Sequence, residues 1–249
     1  MQRCVIQYLV MKESEIIQNK LYVVGTPIGN LGDISERAVQ ILGAVDIIMC
    51  EDTRTSGRML SSFGIKTKLM AFHQHNEHNK VHDVCALIDG GQSVALISDA
   101  GMPAISDPGF LLTRLAHQKG IAVEAIPGPT ALITALAASG LPSDRFIFEG
   151  FLPQKKGRKT RIEALINEER TLVFYESPHR IIRFLKEINE YFGSDRLIAV
   201  CRELTKKFEE ITRGSVHEIL KDYESRNAIK GEFVVIVSGC NYTEEQPSE

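Results

Sequence analysis

Residues 93–120 read SVALISDAGMPAISDPGFLLTRLAHQKG. The first six form a short apolar run without polar alternation, the pattern of a strand buried on both faces. The last eleven carry apolar residues at helical spacing and stop at Gly120, a helix end. Between them lie eleven residues, 99–109, that include two Asp, two Pro and two Gly. A plain strand-to-helix connection takes about 2–6 residues. The surplus reads as a loop built to hold something. Gly lets backbone approach a guest closely, and Pro fixes the turns around it.

The same strand–loop–helix unit recurs on both sides. LYVVG (21–25) leads through TPIGNLGD and Ser35 into ERAVQILGAV, apolar at 38, 39, 41 and 42. DIIMC (46–50) ends in EDTRTSG, and a short helix then runs to Gly64. A helix is expected over about 77–89. AVEAIPGPTALITALAASGLP gives a strand, a turn and a helix, with Pro129 at its first position and Gly140 and Pro142 beyond its end. Alternation of apolar strands with helices predicts a mostly parallel sheet covered on both faces. GLPSDR (140–145) reads as a domain boundary. Beyond it FIFEGF, TLVFYE, RLIAVCREL, FEEITRGS and EFVVIVSG read as strands of a mixed α/β sheet. SPHRIIRFLKEINEYFG reads as a helix with Ser177 as N-cap and Pro178 at its first position. HEILKDYES reads as another. The expected domains are therefore 21–140 and 141–240, after an N-terminal extension (1–20) without a signal-peptide pattern and before a polar tail (241–249).

A chain of 249 residues with 43% hydrophobic and 24% charged content is long enough for two α/β domains with real cores. No apolar run is long enough to span a bilayer. Cys4, Cys50, Cys85, Cys201 and Cys240 are scattered, with no C-x-x-C pair, which points to a reducing cytoplasm. The net charge of −3 excludes a globally basic nucleic-acid coat and leaves room for a local patch. KKGRKTR (155–161) has five positive charges in seven positions. Alone, such a run reads as a solvated loop and first helical turn, since charge runs are usually surface.

Ligands of open parallel sheets bind beyond the carboxyl ends of the strands. Those exits are GTPIGN, EDTR, DAGMPAISDPG and PGPTA. GTPIGN is not the G-x-G-x-x-G of a dinucleotide site, and Pro27 removes a donor that a pyrophosphate would use. The exits instead suit a ligand with a sulfonium cation, an amino acid and adenine. Such a ligand wants carboxylates, carbonyls and apolar walls, which Asp99, Ala100, Gly101, Met102, Pro103 and Ile105 supply. HQHNEHNKVH (73–82) carries four His, with His78 and His82 four apart on the expected helix. That spacing permits zinc without requiring it, and no Cys stands nearby, so the expected metal is none.

LYVVGTPIGNLGDISERA, EDTRTSG, SDAGMPAISDPG, PGPTALITALAASGLPSDRF, EGFLP, FYESPHR, RELTKKFEE and GEFVVIV occur in this order. Together, over roughly residues 21–239, they resemble the small-subunit ribosomal RNA methyltransferase branch of the tetrapyrrole-methylase-like enzymes. The resemblance implies a two-domain class III methyltransferase fold, with S-adenosylmethionine folded into the cleft between the domains, and a homodimer. It implies 2′-O-methylation of a cytidine ribose in the decoding region of 16S ribosomal RNA. Carried over by motif, the donor site takes Pro27 and Ile28, then Asp99, Gly101, Met102, Pro103 and Ile105, then Pro127, Gly128, Thr130 and Ala131. From the second half come Phe174, Tyr175, Leu204 and the start of GEFVV. The resemblance also makes the histidine run an RNA-facing or dimer-facing loop. Members of this branch often continue into a small helical C-terminal region, which this chain does not match, so RNA docking is less firmly implied than donor binding.

Methyl transfer to a hydroxyl needs alignment, and a base or polarising cation helps. Strand exits offer Glu51, Asp52, Arg54, Glu176, Arg202, Glu203 and Lys206, any of which also suits a structural salt bridge. Arg54 and Lys206 lead as substrate-facing charges, with Glu51 and Asp52 as the acids beside them. The basic run, with Lys155, Lys156, Arg158, Lys159 and Arg161, is expected to hold RNA phosphates. Two other readings compete. A methylase of small tetrapyrrole precursors would act without RNA, and a non-catalytic ribosome-assembly factor would show no turnover.

Overall fold

A computed structural model describes residues 18–244. The expected extension and tail lie mostly outside the described residues. The chain divides into two compact units. One holds residues up to Thr26 with Asp33–Gly128, and the other holds Pro27–Gly32 with everything from Pro129 onward.

The first unit is a five-stranded parallel sheet: β1 (Lys20–Val24), β2 (Ile47–Cys50), β3 (Lys68–Ala71), β4 (Val94–Leu96) and β5 (Ala122–Ile126), in the order β3-β2-β4-β1-β5. Side chains alternate across a strand, so each face has its own core. Leu21, Ile47, Met49 and Leu96 meet α3 (Glu77–Asp89) and α4 (Phe110–Gln118) through Val84, Ile88, Leu112 and Ala116. Tyr22, Val24, Ile48 and Ala95 meet α1 (Glu36–Ala44) and α2 (Thr53–Ser62) through Ile41, Leu42 and Leu60. Burial on both faces is why the inner strands β2 and β4 are apolar throughout. The exits of β1 and β2 lead to helices on one face, and the exit of β4 leads to a helix on the other. Neighbouring strands whose exits diverge open a crevice at their carboxyl ends.

The second unit is a mixed sheet: β6 (Phe146–Phe151), β7 (Thr171–Glu176), β8 (Leu197–Arg202), β9 (Glu210–Ser215) and β10 (Phe233–Val237), in the order β6-β7-β10-β8-β9. Only β6 and β7 pair parallel. One face packs on α6 (Arg158–Glu163), α7 (Ile181–Phe192) and α8 (Val216–Ser225). The other is covered by α5 (Ala131–Ala138), whose Leu132, Ala135 and Leu136 sit among Val173, Ala199, Val234 and Ile236.

That packing moves the division from the expected 140–145 to Gly128/Pro129, because α5 is the cover of the second sheet. Two helix starts also differ from expectation. Thr130 is the N-cap of α5, so Pro129 stands just outside the helix. Ser177 opens a turn whose carbonyl accepts from Arg180 and Ile181, and α7 begins one turn later than Pro178. Strand β3 has no counterpart in the sequence reading, since KLMA is short and only partly buried. Among the described residues, no helix is long and apolar enough to cross a membrane.

Candidate active site

In the first unit, three strand exits meet at backbone distance. Thr26, fully buried, donates its N–H to the Gly101 carbonyl at 2.9 Å and accepts from the Gly101 N–H at 3.1 Å. Its hydroxyl donates to the Ser98 carbonyl at 3.1 Å. A Cβ on Gly25 would lie 2.7 Å from both the Gly128 Cα and the Met102 Sδ. The glycines after β1 and β5 are thus required by a close approach, not by a turn. The loop after β4 also holds Ala104 and Ser106 at φ 66° and 65°. Such left-handed backbone costs about 1 kcal/mol or more per residue and persists where surroundings over-determine it. Of the predicted donor residues, Gly101, Met102 and Gly128 come together here. Asp99 and Ile105 stand exposed on the same loop, Pro103 is buried within it, and Pro127 is exposed beside Gly128.

Carboxylates crowd the exits of β2 and β4. Asp99 Oδ1 accepts the Asp52 N–H at 3.3 Å and the Ser56 hydroxyl at 3.4 Å. Asp52 caps α2 through the Arg54 N–H at 2.8 Å and pairs with the Arg54 guanidinium at 3.0 Å, and these contacts hold it down at about 2. Burial, then the Asp99 charge, pushes Glu51 upward against the pull of His73. Asp107, which sequence reading did not single out, is pushed up to about 6 by burial and by the charges of Glu51 and Asp99, against the pull of the Ser98 hydroxyl. Its signal was its place in the same loop as Asp99. Arg54 pairs with Asp52, so Glu51, Asp99 and Asp107 leave the exits of β2 and β4 rich in carboxylate. A separate hollow of about 780 Å³, lined by Val39, Gly43, Phe63 and Ile65, lies at the amino ends of the strands, away from these loops.

In the second unit, Ile28 and Leu204 are buried together, with Ala131 and Tyr175 packed against them. The Tyr175 hydroxyl accepts the Leu132 N–H at 3.1 Å, satisfying the first turn of α5, which has no side-chain cap from Thr130. Phe174 is a correction. It is 1% exposed and packs on Phe184 at the opposite face of β7, because adjacent strand residues point opposite ways. A ligand cannot share a surface with both residues of that pair.

Lys206 is held by Glu203 and Glu232, each at 2.9 Å. Burial lowers its proton affinity, but the two carboxylates outweigh this and keep it above the ordinary lysine value. Its stem covers Gly29, where a Cβ would meet Lys206 Cγ at 2.4 Å. Glu203 and Thr205 on the same loop have φ of 51° and 65°, an outlier for β-branched Thr. Arg202 donates to the Lys230 carbonyl at 2.7 Å and pairs with Glu210 at 3.2 Å, a structural arrangement.

The basic run splits in two. Lys155, Lys156 and Lys159 are exposed. Arg158 is 2% exposed, and its Nε donates to Glu187 at 2.8 Å while its guanidinium stands 3.7 Å from the buried carboxylate of Glu176. Arg158 therefore anchors α6 to α7 and is corrected from the RNA-facing set. Arg161 is half-exposed but forks onto Glu149 at 2.6 and 2.7 Å. Glu176 likewise leaves the catalytic candidates, since Arg180 pairs with it at 2.8 Å in the interior. Among the described residues, no three His, Cys, Asp or Glu side chains group as a metal site.

A family model for tetrapyrrole (corrin/porphyrin) methylases matches residues 20–220. The chain is 50% identical over 230 residues to a protein of Escherichia coli O157:H7 named "Ribosomal RNA small subunit methyltransferase I", covering 92% of this chain and 80% of that one. A protein of Pseudomonas aeruginosa with the same name is 50% identical over 231 residues, covering 92% and 82%. Among solved structures, the methyltransferase CobJ aligns with a TM-score of 0.67 at 18% identity, over 92% of this chain and 97% of that one. At that identity the likeness carries the fold alone.

Proposed function

This chain belongs to the tetrapyrrole (corrin/porphyrin) methylase family, and we propose that it moves a methyl group from S-adenosylmethionine to the ribose 2′-oxygen of a cytidine in 16S ribosomal RNA of the small subunit. The relatives' names and their identity over most of both chains support the substrate class. The observation that carries the donor assignment is the close backbone approach of the β1, β4 and β5 exits, with the carboxylates of Glu51, Asp99 and Asp107 at the exits of β2 and β4. Bound there, S-adenosylmethionine supplies a methyl carbon activated by a sulfonium.

The protein's part is placement and charge. The β1 and β5 exits pass so closely that a Cβ at Gly25 would meet the Gly128 Cα and the Met102 Sδ, and Thr26 ties Gly101 to the same place. The carboxylates of Asp99 and Asp107 offset positive charge on the donor. Of the four side chains expected to act on the hydroxyl, Arg54 and Lys206 are held as permanent cations and Asp52 is tied down as a weak base. Glu51 remains, and Asp107 joins it, as carboxylates whose proton affinity is raised toward neutrality. Glu51 and Asp107 would take up the proton that the ribose hydroxyl releases as its oxygen gains the methyl group. Lys155, Lys156 and Lys159 hold RNA phosphates. The same reading has the enzyme acting as a homodimer in the cytoplasm.

The test is mass mapping of ribose methylation on 16S RNA after incubation of purified enzyme and S-adenosylmethionine with small subunits. One new 2′-O-methylcytidine is expected. No RNA methylation, with turnover on a tetrapyrrole precursor instead, would replace this reading by its same-fold competitor.

A further inference from the structure

The run HQHNEHNK (73–80) does more than cover surface. Its polar groups make a bracket. The His73 N–H donates to Asn76 Oδ1 at 2.8 Å, and Asn76 Nδ2 donates to the Ala71 carbonyl at 3.3 Å. Lys80 Nζ donates to that same carbonyl at 2.8 Å. These bonds seat the first turn of α3 beside the end of β3 and aim Glu77 inward. Glu77 is 7% exposed, and its Oε1 accepts the N–H groups of Gly109 and Leu111, both at 3.0 Å.

Those two donors mark the far end of the loop after β4. Helix α4 has no side-chain cap from its own N-cap residue, Gly109. Gly109 stands at φ 133°, and a Cβ there would lie 2.7 Å from Leu96 Cδ2, so a conventional capping residue does not fit. Glu77 supplies the missing cap from another helix. The near end of the loop is tied by Thr26 to Ser98 and Gly101. Between these two ties sit the left-handed Ala104 and Ser106 and the carboxylate of Asp107.

We propose that Glu77 is a positioning residue for methyl-donor binding: by clamping Gly109 and Leu111 it holds the Ser98–Gly109 loop in its strained, binding-competent shape. The inference rests on the donor-site reading above. Loss of the clamp lets the left-handed residues relax, and donor affinity falls although Glu77 is not itself a donor contact.

The experiment compares Glu77→Ala, Glu77→Asp and Glu77→Gln with the parent by S-adenosylmethionine calorimetry, RNA binding and amide exchange without ligand. Loss of a cap predicts a donor Kd about tenfold weaker for Ala. Asp keeps the charge but falls one methylene short, and it should follow Ala. Gln keeps the accepting oxygen and should stay within about twofold of the parent. Exchange over 98–109 should quicken in Ala and Asp alone, and RNA affinity should hold in all three. Parent-like donor binding and exchange in Ala and Asp would overturn the clamp, as would a Gln variant as weak as Ala. RNA affinity falling in step with donor affinity would also overturn it, by marking a general loss of structure. If Ala does not fold, the Asp and Gln pair decides by the same criteria. If the parent itself fails to bind S-adenosylmethionine, the donor-site reading fails, while the exchange comparison still judges the clamp.

Discussion

Replacing Asp107 by Asn should stabilise the protein at neutral pH and leave it unchanged in acid. Asp107 is raised from 3.8 to about 6 in the folded chain, chiefly by burial and then by the charges of Glu51 and Asp99. A raised carboxylate favours folding while protonated, so its contribution is fully present below the unfolded value. It is lost as pH climbs through the folded value. At full weight a shift of that size corresponds to about 3 kcal/mol. Asp107 is only part-buried, and screening by water reduces this to about 1–2 kcal/mol. The Asp107→Asn variant never ionises and keeps an oxygen for the Ser98 hydroxyl. Denaturant titrations, followed by circular dichroism at half-unit steps from pH 4 to 8, give the comparison. The variant should be more stable above pH 6, converge with the parent between pH 6 and 4, and match it below about 4. A gap that does not change with pH, or a variant less stable at pH 7.5, would refute the burial argument. The donor reading adds a second arm. A sulfonium bound beside Asp107 pulls its proton affinity down, so binding at pH 6 should release protons from the parent and fewer from the variant. Calorimetry in buffers of different ionisation heat measures that difference.

Other outcomes follow from the same geometry. Gly25→Ala should weaken donor binding by forcing the β1 and β5 exits apart, because its Cβ meets the Gly128 Cα and the Met102 Sδ at 2.7 Å; calorimetry showing parent affinity would remove the role of that close approach. Converting Lys155, Lys156 and Lys159 to Ala should weaken RNA binding and flatten its salt slope by about 2, without lowering the melting temperature. An unchanged slope would leave these lysines as plain surface. Arg158→Met should destabilise by about 3 kcal/mol, since the buried Glu176 and the part-buried Glu187 lose their shared cation, while RNA affinity in the folded variant stays put. A stable variant that binds RNA poorly would return Arg158 to the interface.

Much of this was legible along the chain. Strand and helix periods are properties of neighbours in sequence, and so are the Gly and Pro turns that follow each strand. They gave the alternating first half and the mixed second half, and they marked four loops as candidates for a ligand. The order of motifs reached further, to the family. What these readings could not contain is which face of an element meets which distant partner. KKGRKTR looks uniform, yet Arg158 turns inward because Glu187, on the following helix, is there to receive it. Phe174 and Tyr175 are adjacent and both aromatic, and alternation alone says that they part. Only the packing of α7 and α5 on opposite faces says which one becomes core. Glu77 and Asp107 are ordinary acids in sequence. One becomes a helix cap because folding brings a bare helix end beside it, and the other a carboxylate pushed up to about 6 by burial and then by two further acids. Burial and charge act through space, so the chemistry of these residues was settled when the strands took their order and not before.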